Sequence, residues 1–132
     1  MRYLGIDYGL KRIGLAVSDE EGRIAFPMGV MMNRDIDVVI KEIVQKIKKE
    51  YIDRVVVGIP IGLDQRETDQ TRLTSIFLTV LKKKVSIEIV TENEMLTSRM
   101  AIDAGMRDEN IDAASAALIL QSYLLQLSLT LA

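Results

Sequence analysis

The sequence predicts an α/β protein built on a mixed five-stranded sheet, three antiparallel strands followed by two parallel ones, with helices on both faces. Three observations carry this. The chain opens with two short apolar runs, Tyr3 to Ile6 and Ile13 to Val17, flanking a polar turn that contains Gly9, the pattern of a tight antiparallel hairpin. A β-branched run, Arg54 to Ile59, lies between two stretches of helical apolar period. A strand reached through a helical crossover should lie parallel to the first strand, because a short turn joins only antiparallel strands.

The elements follow in order. After the hairpin, Glu20 to Arg23 reads as a second turn and Ile24 to Val30 as a third strand, which Pro27 places at a sheet edge or a bulge. From Asp35 the residues Ile36, Val39, Ile40, Ile43, Val44 and Ile47 share one helical stripe, with Asn33 or Asp35 able to cap the start. Tyr51 to Asp53 leads into the run at Arg54, a buried strand parallel to the first and beside it. Pro60 to Asp69 reads as a polar loop at the end of that strand, where open sheets place ligands. Asp64, Arg66, Glu67 and Asp69 lie in it, within reach of a substrate or simply solvated. Leu73 to Leu81 marks a second amphipathic helix closed by Lys82 to Lys84, cations that suit the negative end of a helix. Ser86 to Val90 reads as the fifth strand, with Thr91 to Glu94 following it and a short helix from Thr97 or Ser98 to Gly105. The last helix, from about Ile111, carries no charge after Asp112. Gln121, Ser122, Gln126, Ser128 and Thr130 interrupt its apolar run and no basic residue flanks its far end, so we expect a buried or partner-facing helix rather than a membrane span.

Bulk composition narrows the chemistry. At 132 residues, 48% hydrophobic and 27% charged, the chain is expected to be one domain, residues 1–132, with no linker or tail. The start shows neither a signal peptide nor a presequence, so the expected compartment is the cytoplasm. Cys is 0 and His is 0, which removes disulfides, thiolate zinc sites, cysteine nucleophiles and every histidine-based triad. Carboxylates must then carry any catalysis, and oxygen-only ligand sets suit Mg²⁺ or Mn²⁺. A net charge of -2 gives no global attraction to nucleic acid, so such binding would need a local basic patch and metal ions.

Candidate acids sit where strands end. Asp7 closes the first strand, and Gly9 and Gly14 remove side chains that would keep a substrate from the backbone. Asp and Gly also favour turns with no chemistry nearby. Glu92 and Glu94 follow the fifth strand, either as ordinary solvated strand-end acids or as a second cluster placed like Asp7. The small residues Ala113 to Ala117 let the last helix lie close to the sheet. Asp112 would then either complement the positive start of that helix or face Asp7 and Glu94 across the strand ends.

These pieces resemble a known family. LGIDYGLKRIGLAVSD at Leu4 to Asp19, VVVGIPIGLD at Val55 to Asp64, ENEMLTS at Glu92 to Ser98 and IDAASAALILQSYL at Ile111 to Leu124 are similar, in order, to the motifs of the YqgF/RuvX family. That family is described as Holliday junction resolvases and pre-16S ribosomal RNA nucleases with a ribonuclease-H-like fold. The resemblance implies a metal-dependent nuclease whose acidic triad maps to Asp7, Glu94 and Asp112. Asn93 and Met95 stand where the family motif has Asp and Arg, Gln65 replaces a glycine, and the loop Met106 to Asn110 is shorter and poorer in lysine.

The expected mechanism is phosphodiester hydrolysis with two ions, Mg²⁺ or Mn²⁺, held by Asp7, Glu94 and Asp112. Three clustered carboxylates need cations or protons to coexist. Lys11, Arg12, Arg66 and Arg99 are the candidate phosphate contacts, and as surface charges they also serve solubility. The expected substrate is structured RNA such as pre-16S rRNA, or branched DNA, met by a monomer or weak homodimer with no membrane partner. Two alternatives stand beside it. One is a nucleotide-binding relative of the sugar kinase and actin superfamily, against which the single-domain length counts. The other is a non-catalytic RNA- or protein-binding adaptor that keeps the fold.

Overall fold

The computed structural model describes residues 1–59, 68–93 and 108–131, with side chains in the last stretch over 112–130. Its five strands are β1 (Tyr3–Tyr8), β2 (Arg12–Ser18), β3 (Ala25–Met32), β4 (Arg54–Ile59) and β5 (Glu88–Asn93). Its helices are α1 (Ile36–Lys49), α2 (Asp69–Lys84) and α3 (Asp108–Leu131). The sheet order is β3-β2-β1-β4-β5, with β1 antiparallel to β2 and β2 to β3, and with β4 parallel to both β1 and β5. This is the mixed topology the connection lengths predict. Pro27 satisfies both sequence expectations, since β3 is an edge strand and the register shifts opposite Leu15 and Ala16, between the pairs Leu15 with Gly29 and Ala16 with Pro27.

Two cores sandwich the sheet, and the alternation of side chains decides which residue joins which. Leu4, Ile6, Val55 and Val57 pack beneath α1 and α2 with Val39, Ile43, Phe77 and Leu81. Tyr3, Ala16 and Val56 face α3, meeting Ala116, Ile119, Leu120 and Leu124. Each large aliphatic side chain buried this way contributes roughly 1.5–3 kcal/mol. On the first face Tyr8 stacks on Phe77 with ring centroids 4.4 Å apart.

Several element limits differ from the sequence reading. Asp35, rather than Asn33, caps α1, its carboxylate accepting from the Asp37 amide at 2.9 Å. Asn33 instead donates to the Gly9 carbonyl at 2.8 Å and braces the first hairpin. Asp69 belongs to α2 and not to the preceding loop, because Thr68 and Thr71 form a capping box that starts the helix there. β5 begins at Glu88 and runs on to Asn93, so Thr91, Glu92 and Asn93 are strand residues, held by pairing with β4 through Ile59. α3 begins at Asp108. The expected short helix near residues 97–105 lies outside the described residues.

Polar contacts fix α3 along its length. The Gln121 side chain accepts from the Ala25 amide at 3.0 Å and donates to the Arg23 carbonyl at 2.9 Å. Arg54 donates to the Tyr123 hydroxyl at 3.1 Å and pairs with Glu88 at 2.8 Å.

The β2–β3 turn has a pH signature. The Asp19 carboxylate accepts from the Arg23 amide at 2.8 Å and the Ile24 amide at 3.1 Å, and these bonds, Arg23 first, hold its pKa below the ordinary 3.8. A folded value below the unfolded one gives stability that is present above 3.8 and is lost as pH falls through the folded value. Urea melts between about pH 5 and pH 2 should therefore show a flatter acid limb for Asp19→Ala than for the parent.

Candidate active site

The site forms where β1 ends against the start of α3. Asp7 pairs with Gly14 on β2 and with Gly58 on β4, and Gly58 pairs in turn with Glu92 on β5. Residues in one cross-strand row point to one face, here the face covered by α3. Asp7 is thus a carboxylate flanked by two residues without side chains, and it is only 9% exposed.

Gly14 and Gly9 have a different use from the one their sequence context suggests. A Cβ on Gly14 would overlap the carbonyl of Asp112, and one on Gly9 would overlap the carbonyl of Arg12. Protein backbone, not substrate, fills the space these glycines leave. At Gly14 the first turns of α3 press onto β2 and bring Asp112 over the strand neighbour of Asp7. Gly5 repeats the contact further along, where a Cβ would lie 2.9 Å from Leu120 Cβ and 3.0 Å from the Ala116 carbonyl. The small residues at the start of α3 permit this approach.

Arg12, expected to face phosphate, turns inward. Its Nε lies 2.7 Å from Asp112 Oδ2, with 36% of the arginine side chain and 22% of the aspartate side chain exposed. Lys11 is exposed at the hairpin tip, and its carbonyl accepts from the Asn33 amide at 2.9 Å. The structure therefore pairs Arg12 with Asp112, sets the Asp112 backbone over Gly14, the strand neighbour of Asp7, and leaves Lys11 exposed on the rim. Glu94, Arg66 and Arg99 lie outside the described residues, as do Asp64 and Glu67. Among the described residues no three acidic side chains come close enough to share a metal ion.

Glu92, which the sequence leaves either as a solvated strand-end acid or in a cluster placed like Asp7, lies inside β5. Taken as the residue after a strand, it had no defined direction. Within β5, its in-register pairing with Gly58 puts it in the row of Asp7. The extent of β5 was the missing signal, and parity would have followed from it.

The donor set fits a hard divalent cation. Asp7 and Asp112 offer only oxygen, and the sequence has no His or Cys to favour a softer metal. The Arg12 guanidinium already pairs with Asp112, so a metal ion there would have to compete with it.

A sheet in this order, with a carboxylate ending its central strand and a closing helix carrying another over it, defines a ribonuclease-H-like α/β protein. Solved structures with this fold include Thermus thermophilus RuvC in complex with a Holliday junction substrate, with a TM-score of 0.65, 13% identity, and coverage of 97% of this chain and 96% of that one. The Fowlpox virus resolvase with its Holliday junction DNA superposes with a TM-score of 0.58 at 10% identity, over 96% of this chain and 99% of that one. The chain belongs to the RuvX family, described as Holliday junction resolvase, whose profile matches residues 1–126. Relatives named as proposed pre-16S rRNA nucleases include one from Maridesulfovibrio salexigens, 36% identical, covering 94% of this chain and 98% of the relative. Another, from Sulfurihydrogenibium, is 39% identical over 96% of this chain and 92% of its own length. Membership of this nuclease family makes the protein a hydrolase acting on phosphodiester bonds.

Proposed function

We propose that this protein is a metal-dependent endonuclease that cuts structured nucleic acid, with the 5′ end of pre-16S rRNA or a Holliday junction as its substrate. The observation that carries the reading is the nearly buried Asp7 at the end of β1 with the Asp112 backbone laid by α3 over Gly14 beside it. In this reading Asp7 and Asp112, together with Glu94, hold Mg²⁺ or Mn²⁺, two ions in all. When bound, these supply charge neutralisation at the phosphodiester and a water acidic enough to attack it. The chain's own residues do the rest. Asp7 is rigid because its strand is paired on both sides, and Asp112 is aimed by helix packing. Arg12 balances the charge of Asp112 and lies close enough to turn to a substrate phosphate. Lys11, Arg66 and Arg99 complete the phosphate contacts.

The test is to incubate the protein with structured RNA bearing an unprocessed 5′ end and with a four-way DNA junction, in Mg²⁺, Mn²⁺ or EDTA. Cleavage of one substrate that needs metal and disappears in Asp7→Asn supports the reading and names the substrate. Binding without cleavage under every condition would favour the adaptor instead.

The Arg12 pair makes a separate prediction. A half-exposed ion pair is worth up to about 1 kcal/mol, so Arg12→Gln should tighten Mn²⁺ binding up to roughly fivefold by freeing Asp112 from a competing cation. Isothermal titration in the absence of nucleic acid reads this directly. Unchanged or weaker Mn²⁺ binding would place the ion away from Asp112.

A further inference from the structure

α1 and α2 both end at the pole of the sheet away from Asp7. The strand that follows α1 starts at Arg54, paired with Tyr3, whereas Asp7 pairs with Gly58 further along. Both helices end in lysines, Lys46, Lys48 and Lys49 on one and Lys82, Lys83 and Lys84 on the other. The negative end of a helix favours cations in its last turn, which explains lysines at each terminus separately. It does not explain their convergence. Lys48 and Lys84, with Val44, line two adjoining depressions of about 430 and 610 Å³, the size of a ligand cleft.

Three lysines and two acids line the groove, Lys41, Lys48 and Lys84 with Asp37 and Asp53, leaving it with an excess of positive charge. Every ion pair found among the described residues uses an arginine. Of the acids beside it, Asp53 accepts from the Arg2 amide at 2.8 Å and Glu50 lies 3.5 Å from the Arg2 guanidinium, while Asp37 lines the depression at the start of α1.

Tyr51 lies on the same rim. It is 81% exposed and is the one non-glycine residue among those described with positive φ, at 53°. The Ile52 amide bonds back to the Ile47 carbonyl at 3.0 Å, so Tyr51 occupies the left-handed position after a helix end that glycine normally takes. Its ring joins neither core cluster. Folding alone gives no reason for a large aromatic residue there.

We infer that this groove is a second nucleic-acid contact, in which Lys48 and Lys84 take phosphates of a single-stranded RNA segment and Tyr51 stacks on one of its bases. The inference rests on the nuclease reading, the segment being the unpaired RNA that flanks the cleavage site. Exposed aromatic faces beside lysines suit unpaired bases. A single strand is also flexible enough to pass from the α3 face to the opposite pole.

The experiment uses the Asp7→Asn protein, so that nothing is cut, and follows fluorescence anisotropy of a structured RNA with and without a single-stranded 5′ extension across a KCl series. The extension should tighten binding about tenfold, and Tyr51→Gly should remove most of that gain. Lys48→Gln with Lys84→Gln should reduce the slope of log affinity against log salt by roughly 1.4, at about 0.7 per single-strand phosphate contact. Tyr51→Gly should also melt no lower than its parent, since glycine relieves the backbone. An extension without effect, or both variants binding with unchanged affinity and slope, overturns the proposal. Equal affinity for a DNA extension of the same sequence overturns its assignment to RNA. Binding that depends on Tyr51 and the lysines, in a wild-type protein that cuts nothing, would uphold the groove and reject the nuclease. Metal-dependent cutting with unchanged binding in the variants would do the reverse.

Discussion

Asp7→Asn will lower cleavage by on the order of 10³-fold, because a metal-held transition state is worth several kcal/mol and each 1.36 kcal/mol is a factor of ten. Asparagine keeps the shape of the side chain in its flanked, nearly buried position, so the fold should survive. Activity alone would not separate a lost metal ligand from a displaced strand. Thermal melting does, since a ligand that binds only the folded state raises the melting temperature. Added Mn²⁺ should raise the melting temperature of the wild type and not that of Asp7→Asn, while the two melt alike in EDTA. An equal Mn²⁺ shift in both proteins would remove Asp7 from the metal site.

Gly14→Ala should be the most damaging single-atom addition in the described structure. Its new Cβ would occupy the place of the Asp112 carbonyl, and backbone cannot step aside as the end of a flexible side chain can. Overpacking of this kind costs typically 1–3 kcal/mol and occasionally more. We expect about 3 kcal/mol here, because α3 is also anchored through Gln121 and Arg54 and cannot shift as a rigid rod. Chemical denaturation should show the loss as a lower midpoint. Cleavage should fall even at temperatures where the variant remains folded, because Asp112 rides on the displaced turn. Wild-type stability in Gly14→Ala would mean that α3 does not press on β2 at this point. Gly29→Ala is the control for backbone strain without crowding, since Gly29 has a φ of 148° and nothing within 4 Å of a Cβ.

Much of the architecture is legible in local pattern. The apolar stripe from Ile36 to Ile47 names α1 without reference to anything else, and its buried residues Val39, Ile40, Ile43 and Ile47 are members of that stripe. The run Arg54–Ile59 names β4 because β-branched residues bounded by polar ones are read residue by residue. These features depend on neighbours in sequence, and the chain states them directly. Its lack of histidine and cysteine likewise removes imidazole and thiol chemistry at the level of composition.

What needed the folded molecule depends on neighbours in space. The length of β5 is set by the ladder with β4 from Arg54 and Glu88 to Ile59 and Asn93, and that ladder is what puts Glu92 on the face of Asp7. Arg12 reads as a surface cation at a hairpin tip until Asp112, far along the chain, meets it at 2.7 Å. Gly14 reads as an opening for a substrate, and the structure fills it with the backbone of α3. The sequence alone determined the class of sheet, the helix that crosses from β3 to β4 and the absence of histidine and cysteine from any chemistry, because periodicity and composition are local quantities. Only the tertiary structure decided that Arg12 lies beside Asp112, that α3 packs on Gly14 next to Asp7 and that the lysines of two helices converge, because each of these joins residues that the chain keeps far apart.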